Sequence, residues 1–344
     1  MQNGFKAAAA DPCLYIRDNG KTKVLLLVYV DNLLLASTDS TEIKMIEKRL
    51  NAEFELSNLG EVRHFLGVEV LCHGGVFKLS LGNYIDRLLK SHGMEEAKSA
   101  KSPMNLGYHK QAESEKTFDD PTSYRSLVGA LLYLAVVTRP DIAASAAILG
   151  RRFSAPTEVD WMAAKRVLRF LKKTKGCYMQ LGGIADQSLV GFSDANWAGD
   201  AESRRSTSGM VFQFGGGTNS WASRRQSSVT LSSMEAENIA LSEACQEALW
   251  LRQLLRDFGE PQDQPTVVME DNQSCLAFVR SDRTNRRSKH IDTLERFVQA
   301  LCVEKKIVLQ YCSTDRTAAD IMTKPLGPLK HREFCELLGL KEDS

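Results

Sequence analysis

From about residue 180 onward the chain fixes a strict order of strand and helix signals. "QSLVGFSDA", "TSGMVFQFG" and "TNSWASR" read as three consecutive strands, each broken by turn-forming residues. The long helical pattern "SSMEAENIALSEACQEALWLRQLLRDFG" follows. Then come a strand "PTVVME", a helix from Asn272, a helix around "KHIDTLERFVQALC", a strand "KIVLQYC" and a final helix around "DRTAADIMTK". Antiparallel strands followed by alternating helices and strands predict an α/β layer architecture with a mixed sheet.

The residues before about 180 carry a different pattern. "TKVLLLVYV" and "LLLAST" are strand-like and meet at Asp31–Asn32, which places one carboxylate at the tip of an apolar, buried hairpin. "DSTEIKMIEKRL" reads as a helix with Asp39 as N-cap and Glu42 three residues on. Two short strands join at Gly74–Gly75, and "NYIDRLLKSHG" is a helix with Gly93 at C′. Residues 100–120 lack periodicity and read as a linker. "SYRSLVGALLYLAVVT", stopped by Pro140, and "EVDWMAAKRVLRFLKKTKG" are helices. The expected organisation is therefore 1–100, a linker with two helices over 101–180, and a domain over 181–344.

Composition narrows the function classes. The hydrophobic fraction of 43% and charged fraction of 25% are ordinary for a globular protein. Lys+Arg 44 against Asp+Glu 43 leaves a net charge of +1, so any nucleic-acid surface must be a local patch. Cysteines 13, 72, 177, 245, 275, 302, 312 and 335 form no CxxC and no zinc-type spacing, which fits reduced thiols inside a cell. The amino terminus has no signal-peptide core, and the longest apolar run, interrupted by Asp31, is too short to span a bilayer.

Acids fall at element ends in the second half: Asp194, Glu235, Asp271 and Asp320, spaced by 41, 36 and 49 residues. No local pattern links them, so only the fold can gather them. Clustered carboxylates repel unless a cation holds them. Oxygen donors without His/Cys clusters suit Mg²⁺ or Mn²⁺. Two such ions ~4 Å apart clamp the attacking and leaving oxygens of a phosphodiester. Taken singly, each acid has an ordinary role as turn residue, cap or dipole partner.

At this point a resemblance becomes specific. "GFSDANWAGDAESRRSTSGMVFQFGGGTNSWASRRQSSVTLSSMEAENIALSEA", "EDNQS", "SKHIDTLERF" and "TAADIMTKPL" resemble, in order, the ribonuclease H domain of copia-type retrotransposon Pol polyproteins. "DPCLYI", "VYVDNLLLAS", "LGEVRHFLGVEV", "YRSLVGALLYLAVVTRPDIA" and "AAKRVLRFLKKTKG" resemble the end of a reverse-transcriptase palm, then its thumb and connection. The resemblance covers nearly the whole chain. It implies a truncated palm, thumb and connection followed by a ribonuclease H-like domain.

The resemblance implies that Asp194, Glu235, Asp271 and Asp320 hold two Mg²⁺ or Mn²⁺ ions and cut the RNA strand of RNA/DNA hybrids. Glu237 competes with Glu235. The two residues point to different sides of their helix, and a short polar lead-in favours Glu235. In the polymerase half the family carries two adjacent aspartates at the hairpin tip, where this chain has Asp31 and Asn32. An amide is the weaker ligand for Mg²⁺. The family's first catalytic aspartate lies upstream of the "DPCLYI" segment, so Asp31 is expected to be a remnant ligand in a packed hairpin.

Candidate phosphate contacts are Arg204, Arg205, Arg224, Arg225, Arg286, Arg287 and Lys289, with Arg283 beside them and further lysines and arginines on 158–176. His290 and Asp292 read as structural residues of their helix. "FGGGTN" reads as a hairpin turn. The expected setting is intracellular, in a cytoplasmic particle or the nucleus. RNA/DNA hybrid is the expected partner, other Pol chains are a second, and no membrane is involved. Two further readings stay open: a non-catalytic remnant that binds nucleic acid or Pol chains, and a reverse transcriptase completed by another chain.

Overall fold

A computed structural model describes residues 4–108, 116–184, 186–279 and 289–342, with the side chains of Phe278 and of 289–292 outside that description. Contacts divide the chain into two compact units. One comprises Met1–Arg63 with Gln246–Gln264, the other His64–Cys245 with Pro265–Ser344.

The first unit is a four-stranded antiparallel meander: β1 (Lys6–Ala7), β2 (Leu14–Asp18), β3 (Lys23–Tyr29) and β4 (Asn32–Ser37). Alternation along β3 buries Val24 and Leu26, which meet Phe5 and Ile46 of α1 (Ser40–Glu53) in a small core. Asp39 caps α1 by accepting from the Thr41 amide at 2.8 Å. Glu42 leaves the cap and pairs with Arg17 at 3.1 Å.

The β3–β4 hairpin turns at Val30–Asp31, with Tyr29 opposite Asn32. The sequence suggested a buried tip, but Val30 is 88% exposed and both Asp31 and Asn32 are exposed. Two-residue hairpins need positive φ, and Val30 supplies it at 54°.

The second unit holds two sheets and the large core. The first sheet orders β11 (Gly217–Arg225), β10 (Thr207–Phe214), β9 (Val190–Asn196), β12 (Thr266–Glu270) and β13 (Ile307–Tyr311). Strands β9 to β11 are antiparallel, while β12 runs parallel to β9 and β13. This is the mixed sheet expected from the sequence. The β10–β11 turn uses Gly215 and Gly216 at positive φ, so "FGGGTN" is a hairpin turn.

The second sheet orders β14 (Leu340–Glu342), β8 (Cys177–Gly182), β7 (Val76–Ser80), β6 (Val68–His73) and β5 (His64–Phe65). Strand β8 had no separate signal in the sequence. It pairs with β7, about a hundred residues earlier, and with the carboxyl-terminal β14. Helix α2 (Gly82–Ser91) ends with Gly93 at φ 60°, the C′ geometry expected.

Three helices fill the core between: α3 (Pro121–Val137), α4 (Ala143–Gly150) and α5 (Glu158–Lys173). Thr157 and Asp160 form a capping box at α5. The chain turns from α3 into α4 at Pro140 around buried Arg139, whose guanidinium grips Asp141 and the carbonyl and hydroxyl of Thr174. Buried residues from α3 to α5 share one core with Val211, Ile321, Met322, Phe334 and Leu338.

The contact boundaries fall at 63 and within 245–265. The expected linker is packed too: Ala100, Ser102, Met104 and Tyr108 are buried.

Helix α6 (Ser233–Phe258) is followed by α7 (Gln273–Val279) and α8 (Lys289–Val303). The expected final helix at "DRTAADIMTK" is a 3₁₀ turn, Ala318–Met322, and the last helix is α9 (Pro328–Leu337).

Candidate active site

The sheet register brings two acids level. In the parallel β9–β12 pair, Phe192 lies opposite Met269. Two residues on from each stand Asp194 and Asp271, at the carboxyl ends of adjacent parallel strands, where open α/β sheets gather their sites. Asp194 is buried, and its Oδ2 accepts from the Thr323 hydroxyl. Asp271 is half-buried, with Oδ2 accepting from the Thr314 hydroxyl at 2.7 Å.

The third acid comes from α6. Ligand oxygens of Asp194, Glu237 and Asp271 all lie within 4.8 Å of one another. Among the described residues this is the one convergence of three His, Cys, Asp or Glu side chains. The glutamate that the fold brings to the two aspartates is Glu237, where the sequence favoured Glu235. Glu235 accepts from the Leu231 amide at 2.7 Å, while its own amide donates to Ser232 Oγ at 3.2 Å. That exchange closes the start of α6 and turns Glu235 away from the sheet. Two residues further, about 200° around the helix, Glu237 faces the acids. The pattern Ser232-x-x-Glu235 is itself a capping-box signature, so the sequence held the clue.

Glu270, which sequence reasoning passed over, lies behind the triad. It is fully buried, with Oε1 accepting from the Asn272 amide at 3.1 Å. Burial and the two neighbouring carboxyls hold both Glu237 and Glu270 far above the ordinary carboxylate range. Burial also pushes Asp194 up to about 6, against the pull of nearby Lys324 and with a further push from Asp320 and Asp271.

Asp320 lies close enough to Asp194 to affect its charge but outside the triad. It rides on the 3₁₀ turn with its side chain 1% exposed. Lys324 Nζ meets its Oδ1, and Lys330 Nζ meets its Oδ2 at 3.0 Å. The turn reaches Asp194 because Gly209, the β10 residue opposite Asp194, has no side chain. A Cβ there would meet Ala319 O at 2.8 Å and Thr323 Cγ2 at 2.6 Å.

The triad fits a hard divalent cation. Every donor is a carboxylate oxygen, and the Glu237 Oε2 is buried without a hydrogen-bond partner. An unpaired buried oxygen is costly unless something positive faces it.

The expected phosphate contacts divide. Arg204 and Arg224 are exposed, and Arg205 is half-buried. Arg225 Nη1 lies 3.5 Å from Asp200. Arg286, Arg287 and Arg283 lie outside the described residues, as do the side chains of Lys289, His290 and Asp292. On α5 the basic face is largely structural: Arg166 donates to Ser102, Arg169 to the Lys98 carbonyl and Lys172 to the Ala97 carbonyl. In the first unit Asp31 Oδ1 accepts from the Asn32 side-chain Nδ2 at 3.0 Å.

Residues 1–106 match the family model described as "Reverse transcriptase (RNA-dependent DNA polymerase)". Over 342 residues the chain is 33% identical to the "Retrovirus-related Pol polyprotein from transposon TNT 1-94" of Nicotiana tabacum, covering 96% of this chain and 26% of that protein. The chain belongs to the copia-type retrotransposon Pol polyproteins. It spans about a quarter of that curated relative's length.

Among solved structures, this Pol chain is similar to a ribonuclease H1 isolated from compost, at 15% identity and a TM-score of 0.33, covering 40% of this chain and 93% of that one. It is also similar to the foamy viral protease-reverse transcriptase in complex with RNA/DNA hybrid. There the identity is 15% and the TM-score 0.48, over 84% of this chain and 36% of that one. Among the described residues, no helix is long and apolar enough to cross a membrane.

Proposed function

We propose that this Pol chain is a divalent-metal-dependent endoribonuclease that cleaves the RNA strand of RNA/DNA hybrids. The observation that carries the reading is the convergence of Asp194, Glu237 and Asp271, with the Glu237 Oε2 buried and unpartnered. Mg²⁺ or Mn²⁺ suits this all-oxygen donor set. When bound, such ions offset the charge that builds on a phosphodiester during in-line displacement. Asp194, Glu237 and Asp271 would hold one ion, and Asp320, close enough to act on Asp194, would help to hold a second.

The chain's own groups supply position. Thr323 orients the Asp194 carboxyl and Thr314 the Asp271 carboxyl. Burial, with a further push from the Asp194 and Asp271 carboxyls, raises the Glu270 carboxyl well above the ordinary range. Exposed Arg204 and Arg224 are the described candidates for phosphate contacts that set register. The setting that follows is intracellular, in a particle or the nucleus where hybrids form.

Polymerase chemistry is not part of the proposal. Asp31 lies on an exposed tip and is hydrogen-bonded to Asn32, and no acid group converges on it among the described residues. The test is incubation with end-labelled RNA/DNA hybrid, single-stranded RNA and double-stranded RNA, with and without Mg²⁺. Hybrid-selective, metal-dependent cutting within the RNA strand is expected. Metal-independent cutting, or equal cutting of all substrates, would sink the reading.

A further inference from the structure

Asp320 differs from the other acids in what already surrounds it. Both its oxygens face ammonium groups, Lys324 on Oδ1 and Lys330 on Oδ2. The Glu237 Oε2 has no partner at all. The two lysines are not equivalent. Lys330 also approaches Asp315 at 4.0 Å and the Phe334 ring at 5.3 Å, on the side of α9. Lys324 also lies near the other acids: Asp194 and Asp271, as well as Asp320, act on its charge. Its side chain is 36% exposed, so a route to solvent is open to it.

We infer that Lys324 is a tethered counter-ion that stands on Asp320 where a second divalent cation would otherwise bind. The inference rests on the metal-site reading above and deepens it. Two cations close to one carboxylate repel, and in a site sheltered from water that repulsion is strong. One ion can enter between Asp194, Glu237 and Asp271 without disturbing the lysine. An ion seeking Asp320 must first push the Lys324 ammonium away. The chain is thereby built for one tight and one weak ion, with Lys324 setting the gap. A long flexible stem lets the ammonium swing towards solvent, or towards a phosphate, without unfolding the turn.

The test counts bound Mn²⁺ by the electron paramagnetic resonance signal of the free ion, on the full chain without substrate. The wild type should bind one ion tightly, and Asp194→Asn should lose it. Lys324→Met should bind a second ion at least tenfold more tightly than the wild type does. Lys324→Gln should behave the same and serves where the methionine variant folds poorly. Lys324→Arg, which keeps the charge, should stay with one tight ion. Adding Asp320→Asn to Lys324→Met should remove the second ion again. One Asp194-dependent ion in the wild type, with unchanged number and affinity in both neutral variants, would overturn this inference alone. No Asp194-dependent Mn²⁺ in the wild type would overturn the metal-site reading and the inference with it.

Discussion

Glu235 and Glu237 are two residues apart, and helix periodicity gives them opposite jobs. A carboxylate that faces bound ions supplies charge that an amide cannot. Glu237→Gln should therefore lower hybrid cleavage by orders of magnitude with little loss of stability. Glu235→Gln should leave turnover within a few-fold, and lose at most about 1 kcal/mol from the helix start. Steady-state cleavage and thermal unfolding of both variants read this directly. Asp194 and Asp271 were singled out in the sequence as acids at element ends, and the fold brings their oxygens together. The choice between the glutamates turned on a backbone hydrogen bond to Leu231. Lys324 carried no such signal, because its role depends on the turn that places it on Asp320.

The same crowding makes stability depend on pH in an unusual sense. The folded pKa of Asp194, about 6, lies above its ordinary value of 3.8. Below pH 4 folded and unfolded states both carry the proton, and no penalty exists. As pH rises towards 6 the unfolded chain releases its proton first, so the fold loses stability. The full difference is about 3 kcal/mol. Without divalent cations, Asp194→Asn should unfold at a higher temperature than the wild type at pH 7, and at a similar one at pH 4. Added Mg²⁺ should shrink that advantage by stabilising only the wild type. An advantage independent of pH would contradict the burial of a charged Asp194.

Among elements, the 3₁₀ turn Ala318–Met322 shows why some pieces are harder to read than others. Its residues look helical in "DRTAADIMTK", but the turn lies against β10 at Gly209, and that contact holds it short. Gly209→Ala should displace the turn, with a cost of about 1–3 kcal/mol from overpacking. Cleavage should fall roughly 100-fold, because Asp320 and Thr323 move with it. Gly129→Ala is the contrast. It lies inside α3 with open space around its Cβ position, and it should gain about 0.5–1 kcal/mol. Equal activity loss in both variants would mean that the close approach at Gly209 does not position the site.

Amphipathic helices and alternating strands were readable in the sequence: β3, β4, α1, α3, α5 and the sheet β9–β13 fall where periodicity puts them. Strand β8 and helix α4 were not, because β8 is short and partnered from far along the chain, and α4 is apolar on all sides.

For the whole molecule, the core ignores the boundary that composition suggests at 181. Val211, Ile321, Met322 and Phe334 share one cluster with Leu127, Leu131, Leu149 and Leu168. A chain cut to 181–344 would expose that face, and should show no cooperative unfolding transition. A chain of 64–344 retains the entire cluster, and should unfold in a single cooperative step followed by circular dichroism. The reverse outcome would mean that the two sheets are energetically independent.

The measurement that bears most directly on the proposed activity is cleavage of a labelled RNA/DNA hybrid by the full chain in Mg²⁺, beside the Asp271→Asn variant. Internal cutting of the RNA strand by the wild type, abolished by chelation and reduced by orders of magnitude in the variant, is the expected result. A folded wild-type chain that leaves the hybrid intact in both Mg²⁺ and Mn²⁺, or a variant that cuts as fast as the wild type, would contradict it.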